Sequence, residues 1–140
     1  MEHIFSKIKP DILLHSIYRI KDVMDLKTER EDITVESAFL QCAVMKPTRN
    51  KTYKAHKHVI KSQSTFEFQV QEAFIVISGQ VTIVIFDIDD SLLCEVVLHA
   101  GDLAVILAGG HTIKIGNINT VLYEIKTGPY EGQLLDKKFI

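Results

Sequence analysis

The chain has 140 residues, of which 46% are hydrophobic and 24% charged, and its formal net charge is −2. That is one domain with enough apolar content for a single core. The weak charge and the lack of a basic stripe argue against a nucleic-acid partner, and no apolar run is long enough to cross a bilayer. The first ten residues, MEHIFSKIKP, lack the apolar stretch of a signal peptide, so a cytoplasmic location is expected.

Residues 1–11 mix charges, Pro10 and a few apolar side chains, and read as an arm or edge element. Residues 12–26 (ILLHSIYRIKDVMDL) are ambiguous between helix and strand. Leu13, Ile17, Ile20 and Met24 recur at helical spacing, whereas the Ile and Tyr content favours strand. The strand reading is preferred because the remainder of the chain has β character. The charged stretch 27–34 (KTEREDIT) reads as a loop. Strand candidates lie at 38–45, 53–58, 66–77, 81–86, 92–98, 103–107, 111–115 and 120–126, the third being one long strand or a hairpin pair. Between them lie turn signals such as KPTRNK, DIDDS, HAGD, AGG and GNIN. The tail 128–140 reads as irregular. Short strands at this spacing, several apolar on both faces, predict an all-β sandwich or barrel over 38–127, with 1–37 as an arm and edge strand. Cys42 and Cys94 both sit in apolar surroundings and are expected to be reduced core thiols.

The chemistry concentrates in two stretches, 54–79 and 101–117. His56 and His58 are two residues apart, so on a strand they project from one face while Lys57 points away. Glu72 lies further on, inside an apolar run, and His111 comes after Gly109-Gly110, a turn that can aim it inward. Three neutral imidazoles and one carboxylate suit a divalent transition ion, with zinc, iron, manganese and nickel the candidates. Without an ion, His56 or His111 would be the general base, its tautomer set by a nearby carboxylate. Gln41, Tyr53 and Tyr123 lie in strand-like segments and are the candidate substrate contacts, the two tyrosines also being catalytic candidates. Other signals carry less. Asp87, Asp89 and Asp90 lack the spacing of a calcium loop and fit a hairpin turn. His3, His15 and His99 have no partners in sequence. Ser62, Ser64 and Thr65 form no triad pattern with a histidine.

His56-x-His58 together with Glu72-x6-Gly79 resembles the first cupin motif, and Gly101-Asp102 through Gly-Gly-His111 to Asn117 resembles the second. The stretches EDITVESAFLQC, YKAHKH, QEAFIVISG, GGH and YEIKTGPYEG extend the likeness to small single-domain cupins over nearly the whole chain. Two departures stand out. Leu107-Ala108-Gly109-Gly110 replaces the usual proline before His111. The interval from His58 to Glu72 is long, which leaves room for an added loop, VIKSQSTFEF, and leaves Glu67 as a competing carboxylate. The resemblance implies a double-stranded β-helix, a jelly-roll barrel with His56, His58, Glu72 and His111 turned inward around a metal. It also implies a small-molecule substrate, of carbohydrate or sugar-nucleotide type in an isomerase or epimerase. The alternatives are a non-catalytic module for a small ligand or metal and an iron-dependent oxygenase. A homodimer is expected, with 12–24 as the pairing element.

Overall fold

The computed structural model describes residues 1–63, 66–116 and 119–140. Asn117, which closes the second motif, and Ser64 and Thr65 lie outside the described residues.

In chain order the elements are β1 (Glu2–Phe5), β2 (Leu13–Ile17), α1 (Ile20–Asp25), β3 (Arg30–Asp32), β4 (Leu40–Met45), β5 (His56–His58), β6 (Ile60–Gln63) and β7 (Phe66–Gln69). The second half contains β8 (Glu72–Ser78), β9 (Gln80–Phe86), β10 (Leu92–His99), β11 (Leu103–Ile106), β12 (Gly110–Ile115), β13 (Val121–Thr127), α2 (Gln133–Asp136) and β14 (Lys137–Phe139).

Two five-stranded antiparallel sheets form the body, in the orders β10-β9-β12-β5-β14 and β11-β8-β13-β4-β3. Their inner faces meet in one core. The first sheet supplies Val81, Ile83, Leu98, Ile113 and Ile115, and the second supplies Met45, Phe74, Val76 and Leu122. Alternation along the strands produces this division: Glu72, Phe74 and Val76 of β8 are buried while Ala73 and Ile75 between them are only partly so. A smaller cluster of Val23, Val44 and Val121, with Tyr18, Leu26, Ile77 and Tyr123 against it, seats α1 on the outer face of the second sheet.

Several expectations from the sequence are corrected. Residues 12–26 split into β2 and α1 rather than forming one strand. The helix occupies the C-terminal end of the stretch, where Asp22 accepts a hydrogen bond from the Arg19 backbone at 2.9 Å, but the side chain it buries is Val23, whereas Met24 of the helical-spacing set is 71% exposed. The charged stretch 27–34 contains β3, which pairs with β4 and places Arg30 opposite Met45. The predicted 66–77 element is two strands of different sheets. β7 pairs with β6 in a separate hairpin and β8 belongs to the barrel. The tail is not irregular: α2 leads into β14, which pairs with β5, so the sheet extends past residue 127. Cys42 is only partly buried and Cys94 is exposed, both free, so neither is a core thiol.

Candidate metal centre

His56 and His58 are both buried on β5 with their side chains on the inner face. β12 runs antiparallel beside β5 and sets His111 directly opposite His56. Cross-strand partners share a face, and the two rings stand 4.5 Å apart between centroids. The preceding turn makes this approach possible. Gly109 has φ +77°, and a Cβ there would lie 2.6 Å from the Phe86 carbonyl oxygen. Glu72 comes from the other sheet, at the start of β8, where it is 2% exposed. The centre therefore joins the two layers, with three imidazoles from one and a carboxylate from the other.

One ligating atom from each of His56, His58, Glu72 and His111 lies within 4.8 Å of the others. Glu72 Oε2 accepts from His111 Nε2 at 2.8 Å and faces His58 Nε2 at 3.3 Å. Burial pushes the Glu72 carboxyl up, but the hydrogen bonds from His111 and His58 outweigh it and hold the group well below the usual carboxylate range. His56 Nδ1 donates to the Lys54 carbonyl at 3.0 Å, which leaves its Nε2 as a bare lone pair. Burial, then the charges of Lys137 and His111, pull His56 down to about 3, so the ring is neutral at ordinary pH.

Among the described residues, four buried side-chain polar atoms have no hydrogen-bond partner, and they fall one on each residue of this cluster: His56 Nε2, His58 Nδ1, Glu72 Oε1 and His111 Nδ1. An unpartnered buried polar atom costs about 1–3 kcal/mol, and native structures seldom keep several together. The donor set, the burial and these orphaned atoms fit a divalent transition ion.

Three of the four, His56, Glu72 and His111, line a cavity of about 450 Å³. Tyr53 lies in its wall, packed against the main core, and burial raises its phenol above the ordinary value. Gln41 also reaches the wall, but its amide nitrogen is held by the carbonyls of Val35, Glu36 and Ala38 at 3.1, 3.0 and 2.6 Å. It secures the loop before β4. Tyr123 points the other way, into the cluster around Val23 and Val44. Its neighbour Glu124 takes the inward position instead, 2.8 Å from Arg30 Nη1. Burial, reinforced by the charge of Glu72, raises the Glu124 carboxyl despite the opposing effect of Arg30. Glu67 is exposed on the β6–β7 hairpin and bonds Ser62, away from the centre. That hairpin accounts for the long interval between His58 and Glu72.

Glu124 lies in a strand-like segment beside Tyr123, and alternation makes the two mutually exclusive on one face, so it was open to sequence reading as a lining residue. Arg30 was not, because nothing local marks KTEREDIT as a strand.

Solved structures of similar shape are cupins. A single-site variant of oxalate decarboxylase from Bacillus subtilis matches with a TM-score of 0.60 at 16% identity, over 79% of this chain and 28% of that one. The same enzyme has Mn(II) centres. CapF, a capsular polysaccharide assembling protein of Staphylococcus aureus, matches with a TM-score of 0.64 at 17% identity, over 82% of this chain and 31% of that one. A cupin-2 domain protein from Shewanella frigidimarina matches with a TM-score of 0.56 at 18% identity, over 80% of this chain and 95% of that one. The chain thus spans less than a third of the two named proteins. No family model matches the chain, and no curated protein matches it in sequence. The fold is the cupin jelly roll, as the motifs implied. Among the described residues, no helix is long and apolar enough to cross a membrane.

Proposed function

We propose that this cupin-fold chain is a metal-dependent enzyme acting on a small polar substrate of carbohydrate or sugar-nucleotide type, in an isomerase- or epimerase-like reaction. The observation that carries the metal is the set of four buried, unpartnered atoms, one on each of His56, His58, Glu72 and His111. A divalent ion held there would polarise a substrate oxygen. The chain's own groups supply the rest. His56 is held in one tautomer by the Lys54 carbonyl, and Glu72 keeps His111 oriented. Tyr53 and Glu124 face the same cavity and are the groups available for proton transfer. The carbohydrate assignment draws on the likeness to CapF and on a polar wall of acids and bases; the Mn(II) centres of oxalate decarboxylase support a divalent ion in this fold.

Elemental analysis of untagged protein purified without added metal tests the reading. Near one equivalent of a transition metal supports it, and the metal directs the assay: zinc or manganese towards isomerase chemistry, iron towards oxygen uptake. Protein that carries no metal and takes none up overturns the metal centre, leaving a ligand-binding barrel. We also propose that the chain works as a homodimer, because β10, an edge strand, leaves apolar side chains exposed along both faces.

A further inference from the structure

Four cations line the cavity: Arg30, Lys51, Lys126 and Lys137. Three are paired with protein carboxylates. Arg30 lies 2.8 Å from Glu124 and 2.9 Å from Asp32, Lys51 pairs with Glu29, and Lys126 holds Asp136 at 2.8 Å. The side chain of Lys137 has no ion pair and no hydrogen bond among the described residues.

Its position on β14 makes that lack of a partner informative. Lys137 stands opposite His58, and Phe139 stands opposite His56, so the Lys137 side chain shares the inner face with both ligand histidines. It is half-buried and close enough for its charge to act on His56, Glu72 and Glu124. A half-buried ammonium group that faces the cavity with no contact ion pair is placed to receive an anion. Among the described residues no carboxylate lies within ion-pair distance of Lys137, and Glu124, Asp32 and Glu29 of the cavity wall each already pair with another cation.

We propose that Lys137 is a specificity-determining residue that anchors an anionic oxygen group, a carboxylate or a phosphate, on a small polyhydroxy substrate whose hydroxyls face the His56, His58, Glu72 and His111 centre. The anion-anchoring role stands on Lys137 itself; only the placement of the hydroxyls rests on the metal reading. Glycerate, glycerol 3-phosphate and glycerol share a short hydroxylated skeleton and differ in the anionic group, so they serve as probes. Calorimetric titration of wild type, Lys137→Met and Lys137→Arg with each probe, with and without one equivalent of Mn(II), reads the effect. At least one anion is expected to bind wild type about tenfold or more tightly than glycerol. The preference vanishes in Lys137→Met and persists in Lys137→Arg, and Mn(II) uptake is the same in all three proteins. Preference for glycerate assigns the carboxylate, and preference for glycerol 3-phosphate assigns the phosphate. Glycerol binding wild type as tightly as both anions, or Lys137→Met keeping the preference, overturns the proposal. Protein that takes up no metal yet keeps a Lys137-dependent preference removes the metal reading and leaves this one standing. Mn(II) uptake with no anion preference does the reverse.

Discussion

Glu72 and His111 meet across the two layers of the barrel, with Glu72 Oε2 2.8 Å from His111 Nε2 and both side chains 1% exposed. Neither residue has a second partner for its other polar atom. Removing one side of such a pair leaves the other buried and unsatisfied, and it also deletes one of four ligating atoms. Glu72→Gln and His58→Ala are each expected to lower metal retention after gel filtration to about a tenth of wild type or less, since even changes behind the ligands cost about 10–100-fold in affinity. Unchanged metal stoichiometry in His58→Ala would sink the assignment.

The neutral state of His56 makes the fold acid-sensitive. Its folded value is about 3 against an ordinary 6.5, so between these limits the unfolded chain binds more protons than the folded one. Stability contributed by the neutral ring is therefore complete above pH 6.5 and is lost as pH falls towards 3. Glu72 adds loss in the same direction below the carboxylate range, because its folded value is also depressed. Metal-stripped wild type should show a urea midpoint that falls steadily on acidification from neutral pH. His56→Gln should show a shallower fall in the range above the carboxylates. Parallel curves for the two proteins would contradict the buried neutral ring.

How much of this was readable from the chain differs from residue to residue. The two histidine motifs and the all-β class were legible because period-2 alternation and the His-x-His spacing are local properties. Glu72 could not be told from Glu67 by sequence, since the choice depends on whether the interval after His58 stays in the barrel or leaves it as a hairpin. It leaves, as β6 and β7. Tyr123 was a reasonable inward candidate until the register of β13 was known; pairing with Val44 on one side and Ile75 on the other turns it outward. The last strand was hidden for another reason. LLDKKFI has little alternation and two adjacent lysines, and it becomes a strand only because β5 offers a free edge. Tertiary pairing overrides a weak local preference there.

That last strand depends on a buried ionic latch. Asp136 is 1% exposed and is held between Lys61 and Lys126, whose own exposures are 8% and 5%. Lys61 also donates to the Pro129 carbonyl at 2.6 Å, and the Asp136 carbonyl accepts from the Val59 amide at 3.1 Å. Both lysines oppose burial in depressing the Asp136 carboxyl. Asp136→Ala leaves the buried Lys126 without its counter-charge and Lys61 with only the exposed Glu131 at 3.3 Å, so a loss of about 3 kcal/mol is expected in denaturant titration. The damage should be local as well. Val59 comes directly after the His58 end of β5, so faster hydrogen exchange at the Val59 amide is expected in Asp136→Ala. A variant as stable as wild type with unchanged exchange would show that the latch contributes nothing.

The exposed edge of the first sheet argues for a second copy of the chain. On β10, Val96 lies opposite the buried Ile83, on the face that points to the core, yet it remains 41% exposed. On the other face Leu93 and Val97 are 57% and 46% exposed. β11, the edge of the second sheet, comes directly after β10 and exposes Leu103 and Val105. A long apolar edge strand uncovered on both faces invites pairing with another strand, and antiparallel pairing of β10 with its own copy satisfies a two-fold axis without any other partner. The N-terminal segment was the expected pairing element, but β2 pairs with β1 in a hairpin of its own, so β10 is the stronger candidate. Sedimentation at micromolar concentration should give a species of twice the 15.9 kDa chain mass. Val97→Lys, which places a charge on the outer face of that edge, should shift the protein to monomer while leaving metal content unchanged. Wild type found only as monomer would refute the dimer; a dimer indifferent to Val97→Lys would move the interface away from β10, and the exposed Phe5 and Leu14 of the N-terminal hairpin would then be the next positions to charge.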